Sequence, residues 1–175
     1  MVVMANRKTE QHDRSVRIRH NPDADKKFLA SAFSGNLKDA VDAINEHANP
    51  NVCDHMGTPA LTIASWEGSE GHVDVVAFIA SLGRRMRNNT DENGDTALCV
   101  VARRLALHYT HSDGDLHLDA DTVHNLLFIT ALLRINGEDP DFVCGNSLGE
   151  RTMWDIIGQS PELLAIFGRK QVEDR

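Results

Sequence analysis

Aromatic residues are scarce in this chain of 175 residues: Phe, Trp and Tyr together make up 5% of it. The apolar share is nevertheless 41%, so a core must come mainly from Ala, Leu, Ile and Val. Small and aliphatic side chains favour close-packed helices over a sandwich of β-sheets. The length suits one compact domain, because domains usually contain about 100 to 150 residues.

Cysteine is also scarce. The three cysteines, Cys53, Cys99 and Cys144, are odd in number, lie far apart and form no Cys-x-x-Cys pair. This pattern indicates neither a disulfide framework nor a zinc knuckle, and it favours a reducing compartment. Cys99, beside Leu98 and Ala102, is expected to be a small core residue rather than a nucleophile. Cys53 and Cys144 are expected in moderately exposed turns.

The sequence has no apolar run long enough to cross a bilayer. Its first residues include Arg7, Lys8, Glu10 and His12, with no apolar segment after Met4, so we expect no signal peptide. These absences predict a soluble, cytoplasmic protein without a membrane partner, and we expect a monomer.

Motifs for catalysis are missing as well. The chain has no Gly-x-Ser-x-Gly elbow, no glycine-rich phosphate loop and no His-Glu-x-x-His pair. A break between two helices explains Gly68 and Gly71 better than the close approach of a ligand does. We therefore predict no catalytic residue, no cofactor and no specific metal site.

Charge is distributed unevenly along the chain. Residues 1–27 contain seven Lys or Arg and four Asp or Glu, a net charge of +3, whereas residues 28–175 contain eleven and twenty-two, a net charge of −11. An acidic body is poorly suited to gripping a phosphate backbone. The basic arm, through Arg14, Arg17 and Arg19, could contact nucleic acid or a partner. A poorly ordered terminus is the simpler interpretation.

A turn signature recurs three times in this sequence. The copies are Asp54-His55-Met56-Gly57, Asp91-Glu92-Asn93-Gly94 and Asn146-Ser147-Leu148-Gly149. Apolar residues at spacings of three and four flank these turns and predict pairs of short helices. A repeated turn with repeated helices indicates a repeated structural unit. Such units stack on their neighbours and present a surface to another macromolecule.

Further segments make the pattern specific. An exit turn appears as His-Ala-Asn-Pro-Asn at 47–51 and as Gly-Glu-Asp-Pro-Asp at 137–141. A helix opening appears as Gly-Asp-Thr-Ala-Leu at 94–98, and a break as Gly-His at 71–72 with Val-Asp-Val-Val behind it. Over about residues 25–167 the chain resembles ankyrin-repeat proteins.

The resemblance implies an all-α ankyrin-repeat solenoid of about four helix pairs, with β-turn or hairpin fingers. A basic, flexible arm would occupy residues 1–24 and the repeat domain residues 25–167, followed by a tail at 168–175. The repeats would span 25–54, 55–91, 92–146 and 147–167. The last is expected to be a degenerate cap, with Ser160 capping its second helix and Pro161 at the first helical position.

The third repeat is longer than the family's pattern. Gly57 and Gly94 are 37 residues apart and Gly94 and Gly149 are 55 apart, against about 33 for an ankyrin unit. Almost all of the excess in the third repeat falls at 105–121, between its two helices. Insertions of this kind map to loops that often carry function.

Histidine and aspartate are concentrated around this insertion. The residues are His108, His111, Asp113, Asp115, His117, Asp119, Asp121 and His124. Imidazole and carboxylate ligands suit first-row metals, so a metal-binding or hydrolytic protein using 108–124 is one alternative function. A calcium loop fails at Leu118 and His124, where Gly and Glu belong. A solvated loop is the simpler interpretation, with Asp119 or Asp121 capping the next helix.

In ankyrin repeats, residues beside the turn glycine and at the end of the first helix face a concave groove. The resemblance places these partner-binding residues at Phe33, His55, Met56, Thr58, Trp66, Glu67, Glu92, Asn93, Asp95, Arg103 and Arg104, with Ser34, Ser147, Leu148 and Glu150 as counterparts in the outer repeats. Arg84, Arg85 and Arg87 replace the family's acidic exit turn.

Phe33, Met56 and Trp66 would be the apolar anchors of an interface. The five arginines would form a charged margin for an acidic segment of a protein partner. Burial of Trp66 and Phe33 against neighbouring repeats or against the insertion is the competing interpretation.

These patterns together favour a non-catalytic protein–protein interaction module, acting as a scaffold, an adaptor or an inhibitor. Besides the metal alternative, a transcription-associated subunit whose basic arm contacts nucleic acid is a further possibility.

Overall fold

The computed structural model describes residues 21–68, 72–83, 88–110, 119–145, 151–158 and 160–167, with the backbone alone for 108–110. These residues form eight α-helices, which confirms the all-α class. The helices are α1 (Pro22–Ser34), α2 (Leu37–Asn45), α3 (Ala60–Glu67), α4 (Val73–Ser81), α5 (Ala97–Thr110), α6 (Ala120–Ile135), α7 (Met153–Ile157) and α8 (Pro161–Phe167). Across the described ranges, no helix is both long enough and apolar enough to cross a membrane.

The helices pack as sequential pairs, α1 with α2, α3 with α4, α5 with α6, and α7 with α8. The first helices of successive pairs also lie side by side, in the order α1, α3, α5, α7. The second helices contact one another in the order α2, α4, α6. The chain therefore forms two rows of helices with the core between them.

Small side chains allow the first helices to approach closely. Ala32, Ala64 and Ala102 are each at most 1% exposed, and they occupy equivalent places on α1, α3 and α5. Larger aliphatic and aromatic side chains fill the space between the rows. The largest of these are Phe28, Ile79, Leu98, Leu105, Leu126, Ile129 and Leu133, all fully buried. A core of this composition agrees with the scarcity of aromatic residues.

Helix α1 begins three residues before the predicted boundary between arm and repeats, at Pro22 rather than at residue 25. Asn21 caps it, since Asn21 Oδ1 accepts the backbone N–H groups of Asp23 (3.1 Å) and Ala24 (3.4 Å). Proline at the first helical position and an acidic residue in the first turn complete a standard start signal. The start signal is present in the sequence at residues 21–23, but the predicted boundary followed the apolar periodicity that begins at Phe28.

Two glycines lie in close contact with side chains of neighbouring elements. Gly35 ends α1 with φ at 69°, and a Cβ placed there would collide with the His72 ring. A Cβ at Gly68, at the end of α3, would collide with the Cδ1 atom of Ile129 on α6. Gly68 therefore permits close contact between the α3–α4 break and the neighbouring helix pair.

Cys99 and Cys144 are joined by a disulfide, which corrects the prediction that no cysteines pair. Their Cα atoms are 6.8 Å apart, and Cys144 is 1% exposed rather than moderately exposed. The segment after α6 runs beside the start of α5, where the Gly145 N–H donates to the Gly94 carbonyl (3.2 Å), so residues distant in sequence meet. Cys99 is buried as expected. The cysteine count thus no longer argues for a reducing compartment.

The C-terminal cap follows the sequence prediction. The Ser160 hydroxyl accepts the Leu163 backbone N–H (3.3 Å), and Pro161 is the first residue of α8. Helix α7 has a capping box, in which Thr152 and Asp155 each accept the other's backbone N–H. These caps fix the ends of two short helices.

Glu138 connects neighbouring helix pairs from a buried position. It is 4% exposed, and its Oε1 atom accepts the Asn88 backbone N–H (3.0 Å). Asn88 Oδ1 in turn accepts the Asp139 N–H (3.0 Å). Burial raises the pKa of the Glu138 carboxyl, because the charged form loses hydration there.

We expect the thiol count to report the disulfide. Unreduced, denatured protein should yield one thiol per chain, from Cys53, and reduced protein should yield three, measured with a chromogenic disulfide reagent. In native protein Cys53 should react slowly at neutral pH, because partial burial and then the Asp54 carboxylate raise its thiol pKa. The Cys99→Ser, Cys144→Ser double variant should lose about 2–4 kcal/mol of unfolding free energy. Three thiols without reductant would contradict the pairing.

Glu138→Gln should change how stability depends on pH. Because the pKa of Glu138 is raised in the folded protein, the neutral acid adds to the free energy of unfolding of wild type. This contribution is complete below the ordinary glutamate pKa and is lost as pH rises through the raised pKa. The variant cannot ionise, so it should gain stability relative to wild type as pH rises above the ordinary glutamate pKa of 4.5. Denaturant unfolding of both proteins at pH values on either side of that pKa measures the difference. A constant difference would show that Glu138 does not titrate with a raised pKa.

Candidate binding groove

Asp54 organises the turn before α3. Its Oδ1 atom accepts the backbone N–H groups of Met56 and Thr58, both at 2.9 Å. The Asp54 N–H donates to the Thr58 carbonyl (3.0 Å), and the Gly57 N–H donates to the Asp54 carbonyl (3.1 Å). Gly57 has φ at 81°, a conformation that side chains disfavour. The Asp-x-x-Gly pattern is thus explained at both of its fixed positions.

Asp91 repeats this turn before α5. Its Oδ1 atom accepts the N–H groups of Asn93 (2.8 Å) and Asp95 (2.9 Å). The Asp91 N–H donates to the Asp95 carbonyl (3.0 Å), and Gly94 has φ at 77°. The two turns therefore have the same hydrogen bonds, 37 residues apart. The third copy, 146–149 with Ser147 and Leu148, and the adjacent Glu150 lie outside the described residues.

A groove of about 590 Å³ lies between these two turns and the helices α1, α3 and α5. Eight of the residues predicted from the sequence line it: Phe33, His55, Thr58, Trp66, Glu67, Asn93, Asp95 and Arg103. The other lining residues were not among the predicted partner-binding residues, although Asp54 and Asp91 belong to the turn signature; they are Leu29, Ala30, Asp54, Thr62, Ile63, Asp91 and Val100. Leu29 and Phe33 are four residues apart, as are Ile63 and Glu67, so helical spacing from the predicted residues would have found them.

Aromatic side chains give the groove its apolar character. Phe33 is 63% exposed and Trp66 is 51% exposed, so neither is a core residue. Met56 is also 51% exposed, but it does not line the groove. The competing interpretation, in which Phe33 and Trp66 bury against neighbouring helices, does not hold. Trp154 is the tryptophan that is buried, at 8% exposure.

Two of the predicted arginines are engaged within the protein. Arg103 Nη2 lies 2.8 Å from Asp95 Oδ1, and both side chains are largely buried. The Arg104 guanidinium lies over the Trp66 ring, 5.1 Å from its centroid, and Arg104 Nη1 donates to the Trp66 carbonyl (2.6 Å). Such contacts hold the Trp66 ring in place. Because of these contacts, Arg103 and Arg104 are not available as the charged margin for an acidic partner that the sequence suggested.

The remaining charge of the groove is negative. Four carboxylates line it, from Asp54, Glu67, Asp91 and Asp95, against the single guanidinium of Arg103, a net charge of −3. His55 is exposed at the edge, and Glu92 is exposed beside the second turn. Arg84, Arg85 and Arg87, which the sequence placed near this margin, lie outside the described residues. The described groove is therefore apolar and acidic.

The predicted insertion is partly helical. Helix α5 continues to Thr110, and Leu105 at the predicted start of the insertion is fully buried. Asp119 caps α6, because its Oδ1 atom accepts the Thr122 N–H (2.8 Å), and this bond lowers the pKa of the Asp119 carboxyl. His111, Asp113, Asp115 and His117 lie outside the described residues, as does the side chain of His108. Within the described ranges no three potential metal ligands cluster.

No protein-family model matches the sequence, and no curated protein matches it either. The ankyrin resemblance therefore depends on the sequence motifs alone.

Asp54→Ala should destabilise the protein by about 1–2 kcal/mol, because two backbone N–H groups lose their acceptor. Asp54→Asn keeps an oxygen at the same position and should lose much less. Urea unfolding of both variants and wild type gives the comparison. Equal losses in the two variants would show that the carboxylate charge, rather than the acceptor geometry, stabilises the turn.

Proposed function

We propose that this protein is a non-catalytic interaction module that binds a protein partner in the groove between its first helices and turns. The observation that carries the proposal is the pair of exposed aromatic side chains, Phe33 and Trp66, in one groove. Exposed aromatics in a concave apolar site are typical of protein-binding surfaces.

The proposed architecture is an ankyrin-type solenoid. Two turns with the same hydrogen bonds, a repeat of helix pairs and adjacent first helices support it. Isolated antiparallel β-bridges between Cys53 and Pro59 and between Cys144 and Arg151 support hairpin-like fingers. In this proposal the α7–α8 pair closes the stack, and the connection between α5 and α6 carries the extra residues of the third repeat.

The mechanism of binding follows from the state of Trp66. Arg104 contacts both the ring and the carbonyl of Trp66, so the ring is positioned before a partner arrives. A side chain that is already ordered loses less conformational entropy on binding. Phe33, on the neighbouring helix, supplies a second apolar surface in the same groove. Met56, at the tip of the first turn, extends the contact beyond the groove.

Trp66→Ala should weaken partner binding by at least about 30-fold, which corresponds to the loss of about 2 kcal/mol expected for an interface hot spot. Its melting temperature should change by no more than about 3 °C, because the ring is half exposed. The measurement is calorimetric titration with a partner recovered by affinity purification on the full chain.

Phe128→Ala is the matched control. Phe128 on α6 is also 51% exposed but does not line the groove, so its removal should leave affinity unchanged. A partner that is sensitive to Phe128→Ala and insensitive to Trp66→Ala would place the interface elsewhere. A large drop in melting temperature for Trp66→Ala would show that the ring serves stability instead.

A further inference from the structure

We infer that the occupant of the groove is a protein segment that carries an apolar side chain next to a lysine or arginine. This inference rests on the proposed binding function and adds the chemistry of the partner. It differs from the acidic partner that the arginine content of the sequence suggested. The argument depends on which charges in the groove are already paired and which are available.

The positive charges of the groove are used internally. Arg103 is paired with Asp95 at 2.8 Å, with the two side chains 24% and 12% exposed. Arg104 lies against Trp66 and donates to its carbonyl. An acidic segment would have to displace these contacts to find an arginine or lysine among the described residues of the groove. It would also approach carboxylates of its own sign.

The negative charges are more available. The described ion pairs do not include Glu67, which is half-buried in the groove beside Trp66. The turn hydrogen bonds of Asp54 and Asp91 use Oδ1, which leaves the Oδ2 atom of each carboxylate for other partners. Attraction to a cation is stronger at the wall of an apolar groove than in open water, because the effective dielectric constant is lower.

The apolar and acidic parts of the groove are close together. Trp66 and Glu67 are consecutive residues at the end of α3, and Phe33 and Leu29 face the same space from α1. A segment that places an apolar side chain between Phe33 and Trp66 therefore brings its neighbouring residues to Glu67 and to the two turns. Lysine or arginine at that neighbouring position satisfies the carboxylates. A nucleic acid does not fit, since its phosphates would face a net charge of −3.

The test is selection of peptides from a library of random dodecapeptides displayed on phage, with the full chain as bait. Selected peptides are then synthesised with a fluorescent label and titrated against the full chain by fluorescence anisotropy. We expect enrichment of an apolar residue adjacent to Lys or Arg. Affinity should fall at least about 10-fold for Trp66→Ala. Glu67→Lys should lower it at least about fivefold, with weaker binding at higher salt.

Asp74→Lys is the charge-matched control. Asp74 is exposed on α4, outside the groove, and its substitution changes the net charge of the protein by the same amount. Affinity should therefore change less than about twofold, because exposed charges more than about 10 Å apart are largely screened at physiological salt. Equal losses for Glu67→Lys and Asp74→Lys would overturn the inference, because general charge attraction would then explain the preference.

The other outcomes separate the inference from the proposed function. Acidic or uncharged peptides that bind with sensitivity to Trp66→Ala would overturn the partner chemistry and leave the groove as the binding site. Peptides that are all insensitive to Trp66→Ala would overturn both. A synthetic peptide of residues 1–20 that displaces the selected peptides would reassign the groove to the basic arm of this chain and overturn the assignment to a separate partner.

Discussion

The arrangement of the groove depends on one kind of interaction, in which a single aspartate oxygen accepts hydrogen bonds from two backbone N–H groups. It occurs at Asp54 and again at Asp91, and each time it leads directly into a first helix. Because both turns close in the same way, α3 and α5 start from equivalent positions and lie side by side. The alignment of these helices brings Trp66 and Arg104, which are 38 residues apart, into contact. Without the two aspartates the groove would lose the turns that form one of its walls.

The second constraint is electrostatic. Arg103 and Arg104 are consecutive in sequence but have different roles, since one neutralises Asp95 and the other positions Trp66. A count of charges in the sequence treats both as free cations. In the structure Arg103 pairs with Asp95 in the turn before α5 and Arg104 contacts Trp66 on α3, and the charge left in the groove is negative. The chemistry of the proposed partner therefore follows from which charged side chains are already paired, and not from the number of charged residues in the sequence.

Local patterns predicted much of this fold because their physical causes are local. The helices, the cap at Ser160 and the cap at Asp119 follow from spacing or from side chains a few residues apart. The disulfide between Cys99 and Cys144 could not be predicted in this way. It needs the segment after α6 to run beside the first turn of α5, which is a tertiary relation between residues 45 apart. The contact of Arg104 with Trp66, 38 residues away, could not be predicted for the same reason, whereas the pair of Arg103 and Asp95 joins residues only eight apart.

Some residues of the candidate site also could not be predicted from the sequence. The resemblance supplied eight of the residues that line the groove, whereas Leu29, Ile63 and Val100 were not among the predicted partner-binding residues. Helical spacing from Phe33 and Glu67 points to Leu29 and Ile63, but a sequence gives no sign of whether an apolar residue such as Val100 borders a groove or the core. That distinction depends on how far apart the first helices stand.

The disulfide also bears on how this chain can vary. It closes a loop of the chain that contains the whole connection between α5 and α6, and those two helices pack together inside it. For a loop whose ends are already held, each doubling of length costs only about 0.6 kcal/mol in closure entropy. The connection between α5 and α6 can therefore lengthen or shorten with little effect on the stack.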